Sequence, residues 1–357
     1  MRPFLAGAGL VTVLLAAQVA GQQPPVFTPF GALPVLDAYL ESLRQQSGIP
    51  GMSAAVMRDG AVIWESGYGF QDVSARVRAT PDTPYPIGDM SGTLAAVMLL
   101  GCVEQRQLEL DQPLSRYGVE VSEPEATLRD LLSHTSASAD TPFAFMPERY
   151  AQLTRVVERC ASEPYLKSVA KLLDRTAMRD SVPGSEPWNS DAVLREGQFD
   201  GADVDRYRRV LARMALPYRI DRRGRAELID LPPFGVNAST GLVTTVRDLA
   251  RLDAALDSAV ILRQETLDAA WNPVVSRSGV IVPMGLGWFV QRHRDERVVW
   301  HFGLVANAYS SLIVKLPERR LTFILLANSD RLSAPFQLPS GDVTRSLFAT
   351  LFLKLVT

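Results

Sequence analysis

The chain has 357 residues, 47% of them apolar and 21% charged, and its formal net charge is −2. These values are typical of a globular protein that buries a substantial core in one large or two medium domains. No nucleic-acid partner is expected, because such proteins normally carry a basic excess. The arginine-rich stretches at 205–213 and 219–228 are interpreted as solvated surface, the second around a hairpin tip at Gly224.

The first 21 residues are predicted to be a cleaved signal peptide. Arg2 precedes an apolar run over residues 4–20, and small residues lead into a polar break after Gly21. The run is barely long enough to span a bilayer, and a retained anchor is the alternative. We therefore expect an exported protein, periplasmic or secreted, whose contact with the membrane is limited to this signal.

Along the rest of the chain, strand patterns lie at both ends and helical patterns lie in the middle. A helix ending before Gly48 is followed by a predicted hairpin around Asp59-Gly60. The C-terminal part returns to strands and closes with a helix. Further helical patterns are found at 93–110, in two stretches within 147–180, and at 241–256.

The simplest packing of these elements is an α/β (α+β) fold. Strands from the two ends would form one antiparallel sheet covered by the first and last helices, and the middle would form a second, mostly helical region. We assign about 30–88 and 236–355 to the sheet part, and about 89–235 to the helical part, of one domain spanning 30–355.

The cysteines and histidines give no sign of a metal site. Cys102 and Cys160 lie in helical patterns and are expected to be buried free thiols, although an exported protein could pair them. The three histidines, His134, His293 and His301, are far apart in the sequence and have no cluster of cysteines or carboxylates around them. No metal and no other cofactor is therefore predicted.

Seven stretches of the sequence, taken in order, resemble the β-lactamase and penicillin-binding serine hydrolases, especially the class C β-lactamase and esterase-like branch. The resemblance covers residues 30–355 and implies a β-lactamase/transpeptidase-like fold. It also implies acyl transfer, in which a serine at the start of a helix is activated by a lysine three residues later. The stretches are 48–69, 80–88, 108–117, 128–137, 241–252, 285–290 and 301–330.

The first motif of that family, Ser-x-x-Lys, is replaced in this sequence. Asp89 stands at the position of the nucleophile and Gly92 at the position of the base. A carboxylate has no proton to give up and would form an unstable anhydride, and glycine supplies no base. Ser91 is about 200° around the helix axis from Asp89 and should face away. Thr93 is closer to the right face but has no lysine beside it in the sequence.

The second motif is also replaced, whereas the third is partly kept. Phe145 replaces the tyrosine of Tyr-x-Asn, and Pro147 replaces the asparagine. His301 and Gly303 match the family's His-x-Gly, and the backbone N–H of Leu304 would be an oxyanion donor. Loss of nucleophile, base and tyrosine hydroxyl together is difficult to reconcile with acylation chemistry.

Each position has a structural interpretation beside a functional one. Asp89 is interpreted first as the N-cap of its helix, with a ligand-binding or a catalytic carboxylate as alternatives. Phe145 is interpreted as a packed wall of the cleft, with a ligand platform as the alternative. His134 is expected to lie away from the three motifs and to form structural hydrogen bonds. For His301, lining the cleft and packing in the core are equally supported.

The sequence thus predicts a catalytically inactive member of this class that retains a cleft for a ligand or partner. A cleft ligand, small molecule or peptide, is expected to be neutral or cationic, because the cleft gains a carboxylate and loses a lysine. An active exported hydrolase with an unrecognised nucleophile is one alternative. A structural or partner-interaction domain is another, and the oligomeric state is left open.

Overall fold

The computed structural model describes residues 29–135 and 142–357. The signal peptide predicted over residues 1–21 lies outside the described residues. Within those two ranges, no helix combines the length and the apolar character needed to cross a bilayer.

A seven-stranded antiparallel sheet, built from both ends of the described chain, forms the centre of the molecule. The strands are β1 (Gly51–Arg58), β2 (Ala61–Asp72), β3 (Val77–Arg78), β4 (Tyr85–Pro86), β5 (Val182–Pro183), β6 (Tyr218–Ile220), β7 (Ala226–Leu228), β8 (Leu242–Thr244), β9 (Phe289–His293), β10 (Glu296–Val305), β11 (Tyr309–Leu316) and β12 (Leu321–Ala327). The order in the large sheet is β3-β2-β1-β12-β11-β10-β9.

Ten α-helices lie within the described ranges, most of them between the two groups of strands. They are α1 (Pro29–Gln46), α2 (Gly92–Glu104), α3 (Leu128–Leu132), α4 (Leu153–Ala161), α5 (Tyr165–Arg175), α6 (Ala192–Arg195), α7 (Gly201–Leu211), α8 (Val246–Asp257), α9 (Gln264–Ala270) and α10 (Leu347–Val356). This arrangement confirms the predicted antiparallel sheet with terminal helices and a mostly helical middle. The helix predicted over 93–110 ends earlier, at Glu104.

Helices cover both faces of the sheet, as strand β12 demonstrates. Phe323 stacks on Phe352 of α10 with ring centroids 4.7 Å apart. The preceding residue, Thr322, donates a hydrogen bond of 2.8 Å to Asp253 of α8. Because successive side chains of a strand point to opposite faces, α10 and α8 lie on opposite sides of the sheet. Helix α1 packs against α10, so the first and last helices share one face.

Both predicted hairpins are present. Arg58 pairs with Ala61 across a two-residue turn in which Asp59 and Gly60 have φ of 52° and 77°. Positive φ at both positions is the type I′ geometry that Asp-Gly favours. The second hairpin joins β6 to β7 around Gly224.

The turn before α2 lies against the sheet with almost no space between the backbones. A Cβ at Gly303 of β10 would be 1.7 Å from the carbonyl oxygen of Ile87, and one at Gly88 would be 2.7 Å from Leu304. Ser311 of β11 donates a hydrogen bond of 2.8 Å to the same Ile87 oxygen. Glycine at both contact positions lets the start of α2 reach the third motif on β10.

The expectation of two free thiols is wrong, because Cys102 and Cys160 form a disulfide. Cys102 lies on α2 and Cys160 on α4, and these helices pack side by side. The cysteines are 58 residues apart in the sequence, and the helical patterns around them do not indicate which helices are neighbours. Tertiary packing brings their Cα atoms to 6.3 Å.

Candidate functional site

Asp89 does not cap a helix, and that prediction is wrong. It lies inside a short 3-10 helix, Gly88–Ser91, whose N-cap is Ile87, while the N-cap of α2 is Ser91. Neither Ile87 nor Ser91 caps its helix through a side-chain hydrogen bond. The Asp89 carboxyl instead lies against the backbone N–H of Leu304 on β10 and its own N–H, and both groups lower its pKa. It thus lies between the start of α2 and the third motif.

The environment of Asp89 favours the protonated carboxyl more than water does. Burial raises the pKa of Asp89 to about 7, and the negative charge of Glu148 raises it further, whereas the two backbone N–H groups oppose the shift. The side chain is half-buried, so solvent still reaches it. Both forms of the carboxyl are therefore present near neutral pH.

The two hydroxyls next to Asp89 serve the local fold. Ser91 is buried and faces away, as predicted: its Oγ donates to the Gly88 carbonyl at 2.8 Å and accepts from the Leu242 N–H at 3.2 Å. Thr93 Oγ1 donates to the Met90 carbonyl at 2.8 Å. Neither hydroxyl is bonded to a basic nitrogen.

Thr93 does share a small internal cavity with a lysine that no sequence pattern places near it. The cavity, of about 30 Å³, is also lined by Lys315. The Lys315 ammonium is bound by Asp253 at 3.0 Å and Asp257 at 2.7 Å, and these carboxylates raise its pKa despite its burial. An ammonium held in this way is a cation and cannot act as the base for Thr93.

The space in which the family's lysine side chain would begin, next to Gly92, is occupied by the ring of Tyr150. A Cβ at Gly92 would be 3.0 Å from Tyr150 Cδ1 and 3.1 Å from Cε1. Tyr150 is buried, donates a hydrogen bond of 2.7 Å to the Leu132 carbonyl, and stacks on His134 with centroids 4.7 Å apart. The sequence identified Tyr150 only as a packing aromatic. Its contact with Gly92 depends on how α2 and α4 meet.

Phe145 packs into a group of rings. Its centroid lies 4.6 Å from that of His134, 5.1 Å from Phe289, 5.2 Å from Phe302 and 6.0 Å from His301. The expectation that His134 lies away from the motifs is therefore wrong, since it contacts the residue of the second motif directly. This group of five rings, His134, Phe145, Phe289, His301 and Phe302, is called the aromatic cluster below.

His134 does form the structural hydrogen bonds expected of it. Its Nδ1 accepts the N–H of Met146 at 3.2 Å, and its carbonyl accepts the N–H of Ala144 at 3.1 Å. Burial lowers its pKa well below the usual range, and the charge of Arg149 contributes. Pro147 follows as the first residue of a 3-10 helix, Pro147–Gln152, where a missing N–H costs nothing.

The third motif is present, but its groups are engaged within the protein. His301 is only 2% exposed, and its Nδ1 lies 2.7 Å from the carbonyl oxygen of Phe302. Burial lowers the pKa of His301 to about 4, so the ring is neutral at pH 7. Leu304 is half-buried, and its N–H lies against the Asp89 carboxyl and lowers the pKa of that group. Gly303 contacts Ile87, as described above. Among the described residues, no group of His, Cys, Asp and Glu could hold a metal ion.

The fold and the motif positions define a protein of the β-lactamase and penicillin-binding class. A profile described as Beta-lactamase matches residues 36–339. Because that match covers most of the sequence, the chain belongs to the β-lactamase family.

Relatives and solved structures agree with this assignment. The D-aminopeptidase of Brucella ovis (strain ATCC 25840 / 63/290 / NCTC 10512) is 32% identical over 108 residues, 30% of this chain and 21% of that protein. Protein flp of Staphylococcus aureus (strain MW2) is 22% identical over 315 residues, 82% of this chain and 62% of that protein. The chain therefore spans about a fifth of the first relative and under two thirds of the second.

Two solved structures have the same fold. The octameric penicillin-binding protein homologue from Pyrococcus abyssi superposes with a TM-score of 0.71 at 20% identity, covering 90% of this chain and 77% of that one. A β-lactamase from Sulfitobacter sp. EE-36 superposes with a TM-score of 0.69 at 16% identity, covering 92% and 99%. Identities this low relate the folds and not the activities.

Proposed function

We propose that this chain is a non-acylating member of the β-lactamase family. The observation that carries the proposal is the position of the Asp89 carboxyl, which lies against the Leu304 N–H closely enough for that N–H to lower its pKa. In an acyl-transfer site, this N–H and the N–H of the nucleophile bind the oxyanion of the tetrahedral intermediate. Here the Asp89 carboxyl, an oxygen group that belongs to the protein itself, lies against both of these N–H groups, which lower its pKa.

The proton-transfer groups required for acylation have no replacement among the described residues. Gly92 has no side chain, Tyr150 fills the adjacent space, and the Tyr150 hydroxyl donates to a backbone carbonyl. Neither Ser91 nor Thr93 is bonded to a base. This combination favours loss of the mechanism over replacement of one part of it, and we do not propose an active hydrolase.

The remaining role that we propose is binding. Asp89 is half-buried and Glu148 is exposed nearby, so the charge at the start of α2 is negative above the pKa of Asp89. A neutral or cationic small molecule or peptide is the complementary ligand class. The aromatic cluster favours a second candidate, a partner-interaction domain that does not use the cleft, because its rings fill the space beside the third motif.

The test of the first proposal is covalent labelling. The purified mature protein is incubated with benzylpenicillin and, separately, with a fluorophosphonate probe, and its intact mass is measured. A serine-dependent β-lactamase treated in parallel is the positive control. We expect no mass increase on this chain. A stoichiometric adduct would overturn the proposal, and its position would identify the nucleophile.

Ligand class is tested with two small probes of similar shape and opposite charge, benzylamine and benzoate. The backbone amide resonance of Leu304 reports binding, because this N–H lies against the Asp89 carboxyl and lowers its pKa. We expect benzylamine to shift it, benzoate to leave it unchanged, and Asp89→Asn to weaken the response to benzylamine. A response to neither probe in the wild-type protein favours the interaction-domain candidate.

Export by a cleaved signal is also part of the proposed function. Arg2 and the apolar run over 4–20 support it. Expression of the full-length chain, followed by cell fractionation and N-terminal sequencing, tests it. A mature chain beginning near residue 22 outside the cytoplasm is expected. An exported chain that retains Met1 supports the anchor instead.

A further inference from the structure

Two hairpins meet at the end of the sheet where β1 begins and β12 ends. The first joins β2 to β3, and the second joins β6 to β7. The N–H of Val73 in the first hairpin donates a hydrogen bond of 2.8 Å to the Tyr218 hydroxyl of the second. Asn328, directly after β12, contacts both hairpins: its carbonyl accepts the Tyr218 N–H at 3.0 Å, and its side-chain amide donates to the Phe70 carbonyl at 3.1 Å. The two hairpins, residues 72–78 and 218–228, are called the basic end below.

The basic end is positively charged in a protein that is negative as a whole. It carries six arginines and three carboxylates, a formal net charge of +3, whereas the whole chain has a charge of −2. Arg331 and Asp230 flank it with one charge of each sign and leave the sum unchanged. Arg76, Arg222 and Arg223 are exposed and form no ion pair with any residue that the structure describes. The charge of these three side chains is therefore available to a partner.

Large apolar side chains are exposed in the same two hairpins. Val73 is 40% exposed, Val77 44% and Leu228 54%. Leu228 pairs across its hairpin with Tyr218, whose hydroxyl accepts the Val73 N–H, so Leu228 and Val73 belong to one surface. Val77 pairs with Asp72 in the first hairpin. A surface that joins unpaired arginines to exposed apolar side chains matches a partner that is both anionic and apolar.

We propose that the basic end is a docking surface for anionic phospholipid bilayers. The phosphate headgroups would pair with the arginine guanidinium groups, while the exposed valines and leucine would enter the apolar boundary beneath the headgroups. A soluble polyanion would complement the arginines alone. The proposal does not depend on acylation or on a ligand at the candidate site, and it adds a second membrane contact to the one expected from the signal sequence.

Docking through the basic end would bring the candidate site to the membrane side of the molecule. Strands β1, β12, β11 and β10 are neighbours in this order, and each is antiparallel to the next. The end of β10 therefore lies at the same end of the sheet as the start of β1. Gly303 and Leu304 of the third motif are close to that end of β10.

The test measures cosedimentation of the purified mature protein with lipid vesicles, since the mature form lacks the apolar run over residues 4–20. Vesicles of phosphatidylcholine alone are compared with vesicles that contain one third phosphatidylglycerol. We expect binding to the anionic vesicles alone, weakened by added salt because salt screens exposed charges. Arg222→Ala/Arg223→Ala should lower the partition coefficient about tenfold or more, because each arginine at an anionic surface contributes about fivefold.

The matched control is Arg155→Ala/Arg175→Ala, which removes the same charge from exposed arginines of α4 and α5. This variant should bind as the wild-type protein does. Leu228→Ser should weaken binding severalfold without changing its salt dependence, whereas Val260→Ser, at a side chain that is 59% exposed outside the basic end, should leave binding unchanged. Melting temperatures equal to that of the wild-type protein verify that each variant is folded.

The proposal is overturned by absent binding to the anionic vesicles, by equal binding to the two kinds of vesicle, or by an equal loss of binding in the two arginine variants. A polyglutamate arm separates lipid from soluble polyanions. Binding to polyglutamate that requires Arg222 and Arg223, with no binding to vesicles, would also overturn the proposal and would indicate a soluble acidic partner.

Discussion

The ring of Tyr150 lies over the α-carbon of Gly92, in the space where the family's lysine side chain would begin. A methyl group at Gly92 would be 3.0 Å from the ring, closer than ordinary van der Waals contact. The ring cannot easily yield, since its hydroxyl is bonded to Leu132 and its face is stacked on His134. The position of the family's base therefore carries no basic group, and the ring of Tyr150 occupies the space that a lysine side chain would need.

Alanine at Gly92 tests this contact directly, with Gly101 of the same helix as the matched control. A Cβ at Gly101 would lie 4.0 Å from its nearest neighbour, Leu262. Gly101→Ala should raise the free energy of unfolding by about 0.5–1 kcal/mol through helix propensity. Gly92→Ala should lower it by about 1–2 kcal/mol, because overpacking outweighs that gain. Urea denaturation measures both, and equal stabilisation would contradict the Tyr150 contact.

Restoring the first motif should not restore acylation. Asp89→Ser combined with Gly92→Lys supplies a nucleophile and an amine, but the lysine has to displace Tyr150. We expect no penicillin adduct by intact mass and a lower melting temperature than that of Asp89→Ser alone. Adding Tyr150→Ala is the control, because it removes the ring from the space that the lysine side chain needs. An adduct on the double variant would indicate that Tyr150 moves freely.

Between pH 5 and 8, ionisation of Asp89 should lower the free energy of unfolding as the pH rises. Its pKa is raised to about 7, so from about pH 4 to pH 7 the folded protein binds a proton that the unfolded chain has lost. The stability from this group is fully present below the unfolded pKa and is lost as pH rises through about 7.

Asp89→Asn keeps an uncharged side chain at every pH. It should therefore match the wild-type protein below about pH 4 and exceed its unfolding free energy by a margin that grows from pH 5 to pH 7 and is largest at pH 8, as measured by urea denaturation. Asp111→Asn is the control, because Arg129 holds the pKa of Asp111 below its usual value. Its effect should be destabilising and constant over this range. An Asp89→Asn effect that is equally constant would show that Asp89 ionises normally.

The two buried histidines of the aromatic cluster should be neutral and in opposite tautomers. His134 accepts a hydrogen bond at Nδ1 and must carry its proton on Nε2, whereas His301 Nδ1 faces a carbonyl and must carry the proton itself. Nitrogen-15 NMR of histidine-labelled protein distinguishes the two forms. Since burial depresses both pKa values, the associated stability should fall as pH drops from about 6.5 towards 4. Titration of either ring near pH 6.5 in the folded state would contradict this assignment.

Gly303→Ala should separate the start of α2 from β10. The added methyl group would be 1.7 Å from the Ile87 carbonyl oxygen, which is backbone and cannot turn away. We expect a loss of about 3 kcal/mol or more in unfolding free energy, together with a shifted Leu304 amide resonance. Gly201→Ala, where nothing lies within 4 Å, should be neutral or slightly stabilising. Similar effects at both glycines would rule out the close approach.

The alternation of apolar residues and the turn chemistry of the sequence determined most of the fold. Asp59-Gly60 specified a hairpin because both residues adopt positive φ at little cost. Strands at both ends of the chain need partners for their backbone hydrogen bonds. Pairing with one another was the simplest arrangement, and this predicted the shared sheet. The family motifs, in turn, predicted which residues lie at the start of α2 and on β10.

Tertiary structure decided how those residues are used. Asp89 was expected to cap a helix by local propensity, yet its carboxyl lies against the backbone N–H of Leu304, more than 200 residues away in the sequence. Cys102 and Cys160 pair because α2 and α4 pack together, and Tyr150 covers Gly92 for the same reason. Local patterns report the preferences of neighbouring residues. The partner of a buried carboxylate, thiol or ring is set by which elements meet, and that depends on the packing of the whole core.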